Sequence, residues 1–335
     1  MQALGYTRPR DVASAVAMAT ADPRAAYLAG GTTLVDLLLK DAVIEPGRLI
    51  DIGRLPLRGI SICGDALMVG ALTTMAELAD DPTVRERLPL VRQALLAGAS
   101  PQLRNVATIG GNLLQRTRCR YFRDLAVLSC NKRTPGSGCA AVSGTARMHA
   151  ILGASEYCIA VHASDLCVSL AALDASVESA GVGGQRITPM TDFYVLPGDR
   201  PDTENVLAHG ELITAVHIPL PPSGTRSGYL KVRDRASYEF ALASAAAALL
   251  IDSGTITAAR LALGGVGTIP WRAREAEEIL TGGPADDRTF RAATDAALRD
   301  TFTAPAPRSR LSWPSGRSSG SCRTCRGCGH DCRHA

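Results

Sequence analysis

Tyr27-Leu28-Ala29-Gly30-Gly31-Thr32-Thr33 is a short apolar strand that runs into two glycines and two threonines, and residues 34–40 then read as a helix. A glycine pair at such a junction permits positive φ and close backbone approach, and a helix start presents N–H groups to an anion. Thr108-Ile109-Gly110-Gly111-Asn112-Leu113 repeats the theme. Its glycines are expected to expose N–H groups, with Thr108 and Asn112 as donors to a phosphate or a ring. Neither turn is G-x-G-x-x-G or a Walker loop, and either alone is readily an ordinary tight turn. Two in one chain suit a dinucleotide, which has two phosphates to hold.

Outward from these turns, short strands alternate with helices. Residues 11–19, 73–79 and 88–97 read as helices, 48–52, 60–63 and 66–70 as strands, and 175–180 with 185–188 as a hairpin around Gly181-Val182-Gly183-Gly184. Around 100–160 the periodicity fails, and Gly, Pro, Arg and Cys accumulate in an ordered but loop-rich insert. Pro219-Leu220-Pro221-Pro222-Ser223-Gly224 marks a boundary or hairpin loop. Beyond it, 228–233, 241–251 and 255–263 suggest antiparallel strands, followed by helices over 271–281 and 284–300. The fold class is α+β. The expected parts are 1–218 (subdomains about 1–55 and 56–218, with the insert 115–158), 219–303, and a tail 304–335.

The 335 residues are 46% hydrophobic and 20% charged, a globular balance. No apolar run approaches the ~20 residues of a membrane span, and no basic region followed by an apolar core opens the chain, so no export address is read from it. The net charge of +4 is misleading: residues 304–335 hold six Arg and one Asp, which leaves the other 303 residues at −1. With aromatics at 4% as well, nucleic-acid binding by the folded part is not supported. Six of the ten cysteines lie in the body and four crowd into 322–332. Without an export address, metal or redox use is a better first reading of them than disulfides.

The two turns resemble the phosphate loop and the second glycine segment of the FAD-binding subunits of molybdenum hydroxylases, the family of xanthine dehydrogenase flavin domains and carbon monoxide dehydrogenase medium subunits. Ala163-Ser164-Asp165, Gly210-Glu211-Leu212-Ile213, Lys231-Val232-Arg233-Asp234-Arg235 and Glu239-Phe240-Ala241-Leu242-Ala243 extend the resemblance in order over roughly 1–300. It implies a two-part FAD-binding domain followed by a C-terminal α/β sandwich domain. It also implies FAD contacts from Leu28, Ala29, Gly30, Gly31, Thr32, Thr33, Leu34, Thr108, Gly111, Asn112, Asp165, Ile213 and Lys231. By their residues alone, Asp165 is equally a helix N-cap and Lys231 an exposed strand lysine.

Gln115-Arg116-Thr117-Arg118-Cys119-Arg120-Tyr121-Phe122-Arg123-Asp124, with Cys130, Cys139 and Cys158 downstream, looks like the insert in the flavoprotein subunit of periplasmic aldehyde oxidoreductases, which are heterotrimers. That resemblance implies a [4Fe–4S] cluster on Cys119, Cys130, Cys139 and Cys158. The gaps of 10, 8 and 18 residues match no short regular spacing, and by spacing alone four free or buried cysteines are the plainer reading. Arg116, Arg118, Arg120, Lys132 and Arg133 would offset the charge of a thiolate-bound cluster. Cys63 and Cys167 read as core, and His149 and His162 receive no catalytic role.

Cys322, Cys325, Cys328 and Cys332 carry ferredoxin-like C-x₂-C-x₂-C-x₃-C spacing. The following Pro and a second cysteine run are missing, and Leu311-Ser312-Trp313-Pro314-Ser315-Gly316 stands where the family has a helical ending. With 33 Arg against three Lys, the gene reads as GC-rich, and the tail as a shifted reading frame unable to order itself.

The resemblance implies an FAD and [4Fe–4S] electron-transfer subunit of a molybdenum-dependent aldehyde oxidoreductase. Its partners would be a small [2Fe–2S] subunit and a large molybdopterin subunit, with an external acceptor, no nucleic acid and no membrane. No catalytic residue is required of this chain. It is cytoplasmic by its own sequence, and periplasmic if a signal-bearing partner co-exports it. The alternatives are an FAD subunit that reduces NAD, as in xanthine dehydrogenase, and an iron–sulfur or zinc regulatory protein that uses the tail cysteines.

Overall fold

The computed structural model describes residues 4–39 and 45–302, so the tail cysteines lie outside the described residues. Three sheets organise the chain. Strands β1 (Gly5–Thr7), β2 (Ala25–Leu28) and β3 (Arg48–Asp51) form a parallel sheet with β3 in the middle. The crossover helix Val12–Ala21 starts from a capping box, in which Ser14 N–H donates to Asp11 Oδ1 at 2.7 Å and the Asp11 N–H donates back to Ser14 Oγ.

Strands β4 (Ile60–Cys63), β5 (Ala66–Gly70), β6 (Ser176–Gly181), β7 (Gly184–Pro189) and β8 (Leu212–Pro219) form an antiparallel sheet ordered β4-β5-β8-β6-β7. Its core is shared with the helices Met75–Asp80, Pro89–Ala97 and Asp165–Ala172. All eight residues of the last helix are buried, as a helix covered on every side must be.

Strands β9 (Arg226–Val232), β10 (Ala243–Asp252), β11 (Thr255–Gly264) and β12 (Trp271–Arg272) form the C-terminal antiparallel sheet. Period-2 alternation divides β10 between two cores. Ala246 and Ala248 pack with the first domain, while Ala245, Ala247 and Leu249 pack with the helices Arg274–Leu280 and Asp287–Ala297. Small residues are required here, since a Cβ on Gly264 would meet Val168 Cγ2 at 2.4 Å.

Several sequence expectations are corrected. Strand β8, central in its sheet, was not anticipated, because residues 212–219 are a nearly continuous apolar run without a two-residue period. Trp271–Arg272 is an edge strand paired with β11, and the helix expected over 271–281 begins at Arg274. Cys63 is exposed at the end of edge strand β4 and is not core. Cys167 is buried as expected, 3.1 Å from the Tyr194 hydroxyl.

Arg272 pins the two domains together. Its side chain, 5% exposed, pairs with Glu277, and its NH1 donates to Asp174 Oδ1 at 2.6 Å and to the Ala171 carbonyl at 2.5 Å. Burial opposes the charge, and the hydrogen bonds to Glu277 and Asp174 outweigh it, so its pKa is raised. Arg272→Met would strand the buried Glu277 carboxylate. We expect a loss of about 3–5 kcal/mol in denaturant unfolding, and a loss below 1 kcal/mol would show the clamp to be incidental.

Candidate functional site

The first turn is shaped by a close approach. A Cβ on Gly30 would lie 2.0 Å from the Val106 carbonyl oxygen, so only glycine fits there. Gly31 adopts φ +70°, and its carbonyl accepts from Val35 N–H at 2.8 Å to start the helix Leu34–Leu39. Among the described residues, nothing accepts a hydrogen bond from the backbone N–H groups of Gly30, Gly31, Thr32, Thr33 or Leu34. Five adjacent unpaired donors at a helix start suit an anion.

The second turn behaves differently, and the expectation that its N–H groups are exposed is corrected. Ile109 N–H donates to Thr73 O, Gly110 N–H to Ala71 O, Gly111 N–H to Thr108 Oγ1 and Asn112 N–H to Thr108 O. Two of these donors dock the helix Ile109–Leu113 onto the turn after β5, and two close on its own cap at Thr108. This turn therefore offers shape and side chains. Asn112 Oδ1 accepts from Ser164 Oγ at 2.5 Å, and Thr108 caps its own helix.

Together the turns border a cleft with two lobes that share Thr32, Thr33 and Gly111. The smaller lobe, about 250 Å³, is lined by the first turn, Thr108, Leu72 and Ile213. The larger, about 420 Å³, is lined by Asn112, Asp165, Lys231, Arg118 and Phe240. Ala29, Gly30, Gly31 and Leu34 line the smaller lobe, whereas Leu28, within β2, lines neither.

Ser164, not Asp165, is the N-cap of the helix Asp165–Ala172, accepting from Cys167 N–H at 3.1 Å. That frees the Asp165 carboxylate to accept from Lys231 Nζ at 2.8 Å and from the Tyr229 hydroxyl. Lys231 is buried, with 4% of its side chain exposed, and also donates to the Ala97 carbonyl, so it is not the exposed strand lysine of the plainer reading. Burial, with the neighbouring Asp165 charge, raises the Tyr229 hydroxyl well above its ordinary value.

Sequence reasoning missed the cleft role of Arg118. Its guanidinium lies 4.7 Å over the Phe240 ring and 3.4 Å from Asp36, which also binds Arg123 at 2.7 Å. Its Nε is buried without a partner among the described residues, and burial together with Arg123 lowers its pKa. A cation so short of acceptors beside five free N–H groups fits a ligand that carries phosphate.

The four insert cysteines converge. Cys119, Cys130, Cys139 and Cys158 line one space, walled also by Phe122, Asn131 and Ala160. All four are free thiols, with Cys139 half-buried and the others buried. Burial pushes the Cys119 thiol up to about 11 and raises that of Cys158, where Lys132 opposes it. His149 Nε2 lies 3.2 Å from Cys119 Sγ, while His162 packs edge-on against Tyr194 and is pushed down to about 4 by burial. Among the described residues no three His, Cys, Asp or Glu are grouped as ligands of one metal ion. A cube of iron and sulfide spreads its four thiolates around the cluster, and the converging cysteines are compatible with one.

A fold of a parallel three-stranded sheet, a five-stranded sheet and an appended antiparallel sheet, with a two-lobed cleft edged by unpaired amides, defines a holder of a phosphate-bearing dinucleotide. The chain belongs to the family of FAD-binding domains of molybdopterin dehydrogenases, whose model matches residues 2–221, and the CO dehydrogenase flavoprotein C-terminal domain matches 228–310. It is 46% identical over 285 residues to the aldehyde oxidoreductase FAD-binding subunit PaoB of Escherichia coli K12, covering 84% of this chain and 87% of that one. It is 29% identical to the carbon monoxide dehydrogenase medium chain of Afipia carboxidovorans, over 90% of this chain and 87% of that one. Among solved structures, a Cu,Mo-CO dehydrogenase chain superposes with a TM-score of 0.73 at 26% identity, over 97% of this chain and 96% of that one.

Two predictions follow from this geometry. A Cβ on Gly111 meets only Thr108 Oγ1 nearby, at 2.9 Å, and opens toward both lobes. Gly111→Val should therefore lower flavin occupancy in the purified chain, and full occupancy by absorbance would remove this turn from the site. Glu211, beside the smaller lobe, accepts from Arg186, Ser179 and the Ala208 N–H, and chiefly through Arg186 its pKa falls to about 2. Its folded pKa is depressed, so its contribution to stability is complete above the unfolded carboxylate value of ~4.3 and is lost as pH falls toward 2. The stability gap between wild type and Glu211→Gln should close over that window, and a gap constant from pH 6 to 3 would exclude the linkage.

Proposed function

We propose that this chain is the FAD-binding electron-transfer subunit of a molybdenum-dependent aldehyde oxidoreductase. The observation that carries the reading is the 46% identity, over 84% of the chain, to an aldehyde oxidoreductase FAD-binding subunit. The unpaired amides of residues 30–34 hold the diphosphate of FAD where the lobes meet, and Arg118 adds charge beside it. The two lobes, which share Thr32, Thr33 and Gly111, would take the two halves of the dinucleotide. Bound FAD supplies the redox chemistry. The Lys231–Asp165–Tyr229 network fixes a cation at the wall of the larger lobe.

In the same reading, Cys119, Cys130, Cys139 and Cys158 hold a [4Fe–4S] cluster. The convergence of four free thiols on one space supports it, as does the cationic surround. Lys132 Nζ lies 2.9 Å from Glu204 Oε1, and Arg116 pairs with the same carboxylate, which ties the insert to the 194–205 loop. Substrate oxidation belongs to a large molybdopterin partner. Electrons reach this chain through a small [2Fe–2S] partner and leave to an external acceptor. The compartment follows the partners, since an export address on one of them would carry the assembled complex to the periplasm.

The purified chain should bind one FAD and ~4 iron, and should not oxidise aldehydes without the molybdenum subunit. Cys139→Ser should remove most of the iron and leave the flavin, whereas truncation after Thr303 should leave both. Iron that survives Cys139→Ser but vanishes on truncation would move the cluster to the tail.

A further inference from the structure

Cys130 and Cys139 stand opposite each other in an antiparallel bridge. Asn131 N–H donates to the Gly138 carbonyl at 2.7 Å, and Ala140 N–H donates to the Ser129 carbonyl at 3.0 Å. The two cysteines therefore lie between these hydrogen bonds and exchange none themselves, which is the non-hydrogen-bonded position of an antiparallel pair. Cα atoms at that position are ~4.5 Å apart and their side chains leave the same face. Disulfides form at Cα separations of ~4.4–6.8 Å. The hairpin is already tight: Thr134 N–H donates to the Cys130 carbonyl at 2.8 Å, and Cys130 N–H to Ser137 Oγ at 3.0 Å. Joining the two sulfurs requires little backbone movement.

The other two insert cysteines are not so placed. Cys119 heads the short helix Arg120–Arg123, with its sulfur beside His149, and Cys158 is bridged to Ser155. Access separates them further, because Cys139 is the only one of the four that is not buried.

We propose that Cys130 and Cys139 form a reversible disulfide in the iron-free chain, with a small-molecule disulfide as oxidant. In the first step the Cys139 thiolate attacks one sulfur of glutathione disulfide. A mixed disulfide forms and one glutathione thiolate leaves. In the second, the Cys130 thiolate attacks the Cys139 sulfur, the Cys130–Cys139 bond forms, and the second glutathione leaves. Two protein thiols are oxidised, one glutathione disulfide is reduced to two thiols, and the cysteine protons pass through solvent to the departing thiolates. The disulfide closes two of the four thiols to iron. Control of iron uptake by this bond rests on the cluster reading above, whereas the bond itself does not.

The full chain, purified iron-free and reduced, is exposed to glutathione disulfide, alkylated and digested with trypsin. Cleavage after Lys132 and Arg133 separates the two cysteines onto peptides 124–132 and 134–147. The expected result is that these two peptides are the chief crosslinked pair among the body cysteines, that dithiothreitol releases them, that Cys139→Ser abolishes the link, and that Cys119→Ser retains it. Oxidised chain should then lose most of the iron uptake of the reduced chain on reconstitution with iron and sulfide, and regain it after reduction. Recovery of both peptides fully alkylated, or linked mainly to other cysteines, overturns the proposal. A clean Cys130–Cys139 link in a chain that takes up no iron even when reduced upholds the disulfide and refutes the cluster.

Discussion

The contact of Gly30 with the backbone at Val106 and Ala107 sets the geometry on which the site depends. A side chain on Gly30 would drive the parallel three-stranded sheet away from the helix Ile109–Leu113 and open the cleft between them. Because the two glycine turns meet here, Thr32, Thr33 and Gly111 come to border both lobes. The turns divide the work. Among the described residues, the first keeps its amides unpaired and available to a ligand. The second spends its amides on Ala71, Thr73 and Thr108, and so fixes the wall against which the first is positioned.

The α+β class and the glycine turns were legible in the sequence because turns that demand glycine announce themselves locally. The buried strand β8 was not, since an apolar run covered on both faces carries no two-residue period. The placement of Asp165 was half legible: Ser164 and Asp165 are both good caps, and only the structure shows that Ser164 takes the role and leaves the carboxylate to Lys231. Arg118 was read as one of several basic residues in the insert. Its position beneath Phe240 depends on a contact between residues 122 positions apart, which no local pattern encodes. Convergence of the insert cysteines followed from family resemblance and not from their spacing, because the hairpin that carries Cys130 and Cys139 meets Cys119 and Cys158 only through tertiary contacts.

Charge around the insert is arranged in shared pairs. Glu204 serves Lys132 and Arg116, and Asp36 serves Arg118 and Arg123, so each acidic group faces two cations and the surround stays net positive. In a partly buried setting such an excess is costly until an anion arrives. The same excess borders the cleft on one side and the cysteines on the other, because Arg118 and Cys119 are consecutive residues that face different spaces.

Strand β9 lends two side chains to a wall that the first domain cannot complete. Tyr229 and Lys231, two residues apart and hence on one face of the strand, both reach the carboxylate of Asp165 across the domain boundary. The larger lobe therefore needs both halves of the molecule, whereas the smaller is lined by the first domain alone. A fragment ending in the 220–225 linker would keep its fingerprint glycines and the smaller lobe, and lose the far wall of the larger one, leaving a buried aspartate without its counter-charge. The smallest unit of this protein that encloses both lobes is the pair of domains, and the angle at which they meet is a property of the larger lobe.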